Sequence, residues 1–302
     1  MPEAITGVHH VTAICSSPQE NIDFYTRKLS LRLVKQTVNF DSVDTYHFYY
    51  GDRTGAPGTI LTFFPFVDAG PGRCGAGMAS AVAYATSVGG IEAFVERLSE
   101  HDVEFDGPFE RFGETVITFG DPDRLPLEIV ERGETGSEVG PIAGVTLRVE
   151  DPEPTARLLT DLLGMKAEGE SADSAGRRWR FRMGDGGSVD LLRSDEAGIA
   201  RQGAGAIHHV AFRAPDDASH LEWRERVAAY GLNVTPVIDR QYFNAIYFRE
   251  PGGVLFEIAT DPPGFAIDEP VESLGASLKL PPKYEPQRER IERALPPVRL
   301  PA

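Results

Sequence analysis

Cysteine is nearly missing from this sequence: Cys15 and Cys74 are the only two in 302 residues. Two thiols cannot build a disulfide framework, and neither stands in a CxxC or Cys/His zinc pattern, which excludes a stapled secreted scaffold and a structural zinc module. Both are expected to be buried thiols. Lysine is almost as scarce, with Lys28, Lys35, Lys166, Lys279 and Lys283 the whole set against 46 acidic residues. The resulting net charge of −16 would repel a phosphate backbone over most of the surface, so nucleic acid is not expected as a partner. A lysine-poor acidic surface suits work in concentrated salt, where screening shortens self-repulsion, and an ordinary acidic mesophilic protein fits the same composition equally well. Long apolar runs are absent too. No stretch approaches the ~20 apolar residues of a membrane span. The N-terminus MPEAITGVHHVTAI has no basic segment leading into an apolar one. No membrane association is expected, and a cytoplasmic location is.

What is present is the composition of a folded chain, 41% apolar and 25% charged, long enough for two domains. A unit of strand, helix and three closing strands occurs four times. The first unit opens with VHHVTAI and starts its helix at SPQE, a capping box with Ser17 as N-cap, Pro18 in the first helical position and Glu20 reaching back. YHFYYGD and TILTFFPF follow. The second opens with MASAVAYAT, carries Ile91, Phe94, Val95 and Leu98 at helical spacing, and closes with ETVITFGDP and PLEIVE. The third runs from IAGVTLRV into a helix started by Asp151 and Pro152 and stopped by Gly164, then RRWRFRMG and SVDLLR. The fourth is IHHVAF, a helix around Leu221 to Tyr230 ended by Gly231, NAIYFREPGG and VLFEIAT. Each helix should be about 12 residues long. The reading is α+β: four βαβββ units in two similar halves, 1–138 and 139–262, joined through the linker ETGSEVGP. Residues 263–302 are too rich in proline for a further domain and should wrap the body as an extended tail, with one short helix at RERIERAL.

The repeat puts residues of the four units in correspondence. The opening strands place His10, Ala81, Gly144 and His209 at equivalent positions, and the last strands place Thr62, Glu128, Leu191 and Glu257 there. Only His10, His209, Glu128 and Glu257 among these can bind a metal. A cup of units 1 and 2 would hold His10 and Glu128 alone, and one of units 3 and 4 His209 and Glu257 alone, too few for a firm site. Pairing the first unit with the fourth gathers His10, His209 and Glu257, a two-His, one-carboxylate set that leaves positions open on Fe(II). Adjacent strand residues face opposite sides, so only one member of each HH pair can ligate from a regular strand. The second member shares parity with Thr12 and Ala211, whereas Val11, Val210 and Phe212 read as core-facing. A single HH pair would read better as a hydrogen-bonded strand-end histidine; two pairs in register, with a lone carboxylate inside an apolar strand, reverse that preference. Glu128, whose cup neighbours are Ala81 and Gly144, reads as salt-bridged or solvated. His101 and His220 fall in helical stretches and read as surface groups, and His47 faces either the first unit's cup or the core. In DRQYFNAIYF, Arg240 and Tyr247 are candidates to stabilise an anion and to donate a proton.

These units resemble those of the vicinal oxygen chelate superfamily of glyoxalases, extradiol dioxygenases and bleomycin-resistance proteins. The closer likeness, carried by VHHVT, GAPGT, IHHVAF, DRQYFNAIYFREPGGVLFEIATDPPGF and SLGASLKLPP, is to dioxygenases that open para-hydroquinones. The resemblance implies open-barrel metal cups, Fe(II) with Mn(II) as the alternative, and a small aromatic diphenol and dioxygen as reactants. It also implies Arg240 and Tyr247 beside the metal, with His208, His9 and Thr12 as groups around it; a homo-oligomer is expected. Strand parity works against His9 and His208 unless both strands are bulged at their starts. A glyoxalase-type isomerase would need a fourth ligand where Thr62 stands, and a metal-free drug-binding module would leave the three ligand candidates without a reason to converge.

Overall fold

The protein, described by a computed structural model over residues 4–133, 139–184, 186–193 and 198–300, repeats one unit four times. Its strands are β1 (Val8–Cys15), β2 (Arg32–Asn39), β3 (Ser42–Gly51) and β4 (Ile60–Pro65) in the first unit, and β5 (Met78–Thr86), β6 (Phe105–Arg111), β7 (Glu114–Gly120) and β8 (Pro126–Glu131) in the second. The third unit has β9 (Ile142–Arg148), β10 (Lys166–Asp173), β11 (Gly176–Arg182) and β12 (Ser188–Arg193), and the fourth has β13 (Ile207–Ala214), β14 (Ile238–Asp239), β15 (Phe243–Arg249) and β16 (Leu255–Pro263). Most of the expected linker, residues 134–138, lies outside the described residues.

Two eight-stranded sheets result, one from the two outer units and one from the two inner units. One runs β14-β15-β16-β13-β1-β4-β3-β2, joining the fourth unit to the first; the other runs β10-β11-β12-β9-β5-β8-β7-β6, joining the third to the second. Opening strands meet antiparallel at β1/β13 and β5/β9. Within every unit the opening strand lies parallel to the closing one, as β1 to β4 and β13 to β16. This parallel register corrects one expected correspondence: Thr12 faces Thr62, Ala83 faces Glu128 and Ala211 faces Glu257, but Thr146 faces Asp190. Leu191, one residue on, points to the opposite side of β12 and is fully buried in the core. Asp190 is therefore the third unit's counterpart of Glu257.

One apolar cluster passes through all four units, with Val11, Val82, Leu147 and Val210 among its members. The helices cover it: α1 (Pro18–Asp23), α2 (Gly90–Glu100), α3 (Pro152–Arg157) and α4 (Asp217–Ala229). The Ser17 hydroxyl accepts from the Glu20 amide and Asp151 from the Glu153 amide, so both expected N-caps form. The expected 12-residue helices of the first and third units do not form as single helices. Each is six α-helical residues continued by a five-residue π turn, Phe24–Lys28 and Leu158–Leu162. The fourth helix starts at Asp217, four residues ahead of the expected stretch, because Asp216 caps it by accepting from the Ser219 amide. Two further expectations fail. Cys74 is exposed. His220 is buried, its ring held against the Ile258 carbonyl at 2.9 Å, because α4 turns that side chain onto β16.

The C-terminal stretch lies along β2. Lys279 donates its amide to Gln36 O, and the Tyr284 hydroxyl donates to Phe40 O. Fully buried Lys35 pairs with Asp268 at 2.6 Å and with Glu269, and a short helix α5 (Arg288–Ala294) follows.

Candidate metal centre

The β1/β13 pairing brings together side chains 199 residues apart. His10 Nε2 and His209 Nε2 stand 3.4 Å from each other, and Glu257 Oε2 lies 2.9 Å from His209 Nε2 and 3.4 Å from His10 Nε2. Among the described residues this is the cluster of three whose donor atoms, all within 4.8 Å of one another, could hold a metal ion. Glu257 is fully buried, yet neither carboxylate oxygen receives an aligned hydrogen bond. Such a group is costly without a cation. Burial pushes its carboxyl up, but the two imidazoles more than offset that and hold it well below the usual carboxylate range. Burial pushes His209 down, against the pull of Glu257. Two imidazoles and an ionised carboxylate, converging with unsatisfied oxygens, fit a divalent ion.

Both strands are bulged where their histidine pairs begin. The register between β1 and β13 slips between Val8 and His10, and again between Thr12 and Ala13 where β13 passes from His209 to Ile207. His9 and His208 are the extra residues, which swings their rings beside those of their neighbours. His9 Nδ1 lies 2.9 Å from His10 Nδ1, and His208 Nδ1 lies 2.8 Å from His209 Nδ1. With each Nδ1 engaged, the Nε2 atoms are left to face the centre. Burial pushes His9 down to about 3 and His208 down to about 4, so both rings are neutral at pH 7.

A cavity of about 450 Å³ opens above the three ligand candidates. Phe64, Phe66 and Phe243 form apolar wall, and His208, Arg240 and Tyr247 line it as polar groups. Arg240 Nε donates to the Tyr247 hydroxyl at 3.1 Å while Nη1 reaches Asp41 at 3.0 Å. Burial first, then the Glu257 charge, keeps Tyr247 protonated. Thr12 is buried on the cup face of β1 and accepts from Thr62 at 2.8 Å; His9 sits behind His10, packed on Phe243. Every residue singled out from the sequence thus lies in or against one cup. His47, which the sequence left between the cup and the core, lines it as well, and so does Tyr49, which was not singled out. Strand parity carried that signal: Tyr46, Phe48 and Tyr50 are core residues, so the alternate positions face the cavity.

The other sheet's cup is built differently. Glu128 is gripped by Arg111 at 2.8 Å through both oxygens, and Asp190 by Arg180 at 2.7 and 2.8 Å. Guanidinium groups supply there the positive charge that Glu257 lacks.

The sequence matches the Glyoxalase/Bleomycin resistance protein/Dioxygenase superfamily twice, over residues 7–129 and 142–258. The chain belongs to that superfamily. Among superfamily relatives, "Putative ring-cleaving dioxygenase MhqO" of Bacillus subtilis (strain 168) is 47% identical over 98% of both chains. "Chlorohydroquinone/hydroquinone 1,2-dioxygenase" of Sphingobium indicum is 32% identical over 98% of this chain and 97% of its own. The crystal structure of a "putative dioxygenase" from Bacillus subtilis superposes with a TM-score of 0.93 at 45% identity, covering 99% of each chain.

Proposed function

We propose that this superfamily member is an Fe(II)-dependent dioxygenase that opens the aromatic ring of a para-hydroquinone or a related diphenol, with Mn(II) as the other metal the same donors would accept. The observation that carries this reading is the convergence of His10, His209 and Glu257 on one point at the floor of an aromatic-walled cavity. The names of the relatives support the reaction class. These three residues would hold iron by one face, and iron so held would supply open positions for a phenolate and dioxygen side by side.

The chain's own residues supply the rest. A phenol binds as an anion, and neutral His208 on the cavity wall, its Nδ1 taken by His209, presents its Nε2 hydrogen to that anion. Arg240 is permanently cationic and favours an anion nearby. Tyr247, whose oxygen already accepts from Arg240, has its hydroxyl hydrogen left for a substrate or product oxygen. Phe64, Phe66 and Phe243 offer flat apolar surface to an aromatic ring and exclude water around it. Diphenol and dioxygen combine without loss of atoms, so no outside reductant is needed.

The test is an aerobic assay of anaerobically Fe(II)-loaded protein against hydroquinone, catechol and a hemithioacetal. Oxygen uptake matched by ring-opened product is expected with hydroquinone. Turnover of the hemithioacetal with hydroquinone inert would replace this reading by an isomerase.

A further inference from the structure

Thr62 stands in the first unit where Glu257 stands in the fourth, each facing the opening strand of its unit in the same parallel register. Instead of a ligand it provides a link in a hydrogen-bonded chain. The Thr62 hydroxyl donates to Thr12 Oγ1 at 2.8 Å, and His47 Nε2 is 2.8 Å from Thr62 Oγ1. His47 Nδ1 is 2.9 Å from the Tyr49 hydroxyl.

With Thr62 donating to Thr12, the remaining contacts take one direction. Thr62 has a single hydrogen and gives it to Thr12, so the Thr62–His47 contact needs the hydrogen on His47 Nε2. Burial drives His47 well below its ordinary value, so the ring is neutral and carries that one hydrogen alone. His47 Nδ1 must then accept, and Tyr49, which burial keeps protonated, donates to it. Every hydrogen in the chain points from Tyr49 toward Thr12. The Thr12 hydroxyl hydrogen is the last, and among the described residues it has no acceptor. Thr12 is fully buried, two residues from His10 on the same face of β1 and opposite His209 in the β1/β13 ladder.

We propose that Tyr49, His47, Thr62 and Thr12 form a polarised chain that ends at the metal centre, making Thr12 a fixed hydrogen-bond donor to an oxygen anion held there, with His47 and Thr62 as positioning residues. The anion's chemistry, a phenolate, rests on the dioxygenase reading above. A preset donor in a dry site favours the ionised phenol over the neutral one, because its hydrogen bond strengthens when the acceptor is charged.

The probe is 4-nitrophenol, whose absorbance reports its own ionisation, titrated into protein loaded with redox-silent Zn(II). Thr62→Val and His47→Phe should weaken phenolate binding about tenfold and raise the bound phenol's pKa by about one unit, with zinc content unchanged. His47→Gln, whose amide can still donate to Thr62, should recover most of the loss, which a merely space-filling role for His47 would not allow. Tyr49→Phe, cutting the chain at its far end, should move the pKa in the same direction even if Thr62→Val fails to fold. Unchanged binding and pKa in Thr62→Val or in Tyr49→Phe would overturn the chain, as would a wild type with no zinc-dependent phenolate signal. A wild type that binds phenolate on zinc but consumes no oxygen on iron would remove the dioxygenase reading and leave the donor chain standing.

Discussion

Glu257 and Glu128 occupy corresponding places in the closing strands of two units and meet opposite fates. Glu257 faces two imidazoles and no cation, whereas Glu128 is held by Arg111. Glu257→Gln should therefore abolish metal retention, while Glu128→Gln should leave it nearly intact and instead cost on the order of 3 kcal/mol by taking from the buried Arg111 guanidinium its nearest counter-charge. Metal analysis after anaerobic dialysis and urea unfolding of the same samples check both; equal metal losses would contradict the choice of cup. Asp121 gives a second residue-level prediction, away from the metal. Burial raises its carboxyl to about 7, against the hydrogen bonds it accepts from Leu125 N and Tyr25 OH. From the unfolded value of 3.8 up to about 7 the folded state holds a proton that the unfolded chain has lost, so this group's contribution to stability falls as pH rises through that window and levels off above it. Asp121→Asn removes the effect. The variant should gain on the wild type by a few kcal/mol, about 1 per pH unit, between pH 4 and 7. Urea midpoints at stepped pH would show it; parallel pH profiles would not support it.

At the scale of strands and helices, strand parity was the most readable signal. It separates His10 and Thr12 from Val11, and His209 from Val210, and the caps at Ser17 and Asp151 are where their side chains predict. One-residue irregularities were the least readable, the bulges at His9 and His208 entering only as the condition on which those two residues could take part. A bulge changes no residue type, so the turning of His9 and His208 toward their neighbours left no trace in the alternation. The π turns after Pro18–Asp23 and Pro152–Arg157 keep an apolar stripe that reads as ordinary helix. Asp190 was passed over for Leu191 by a one-place slip in alignment, enough to exchange the two faces of β12. The bulges carry their own test. His9→Ala and His208→Ala each remove the partner of a ligand candidate's Nδ1 and should weaken metal binding about 10- to 100-fold, without the complete loss expected of His10→Ala or His209→Ala. Competition with a chromophoric chelator measures this, and wild-type affinity in both variants would deprive the bulges of a role.

For the whole molecule, the decisive feature is that the first unit's partner in the sheet is the fourth, at the far end of the sequence, and not its neighbour the second. Were each half to close on itself, the first would offer His10 and Glu128 and the second His209 with Glu257 and Asp190; the first and fourth units instead share one ladder, β1 against β13. The tail reinforces that union. Lys35 comes from β2 in the first unit, its partner Asp268 follows the fourth, and the Tyr242 hydroxyl donates to the same carboxylate at 2.9 Å. A complete centre therefore requires both ends of the chain at once. Expressed separately, residues 1–138 and 139–302 should each fail to retain iron or zinc through dialysis, because neither contains His10 together with His209 and Glu257. Co-expressed, the two pieces should rebuild the β1/β13 and β5/β9 ladders, co-purify, and recover close to one ion per pair, since cutting between the halves removes no strand and no ligand candidate. Metal analysis of the co-purified pair beside each half decides it: one equivalent of tightly held ion on the C-terminal half alone would mean that the third and fourth units can close a working cup without the first.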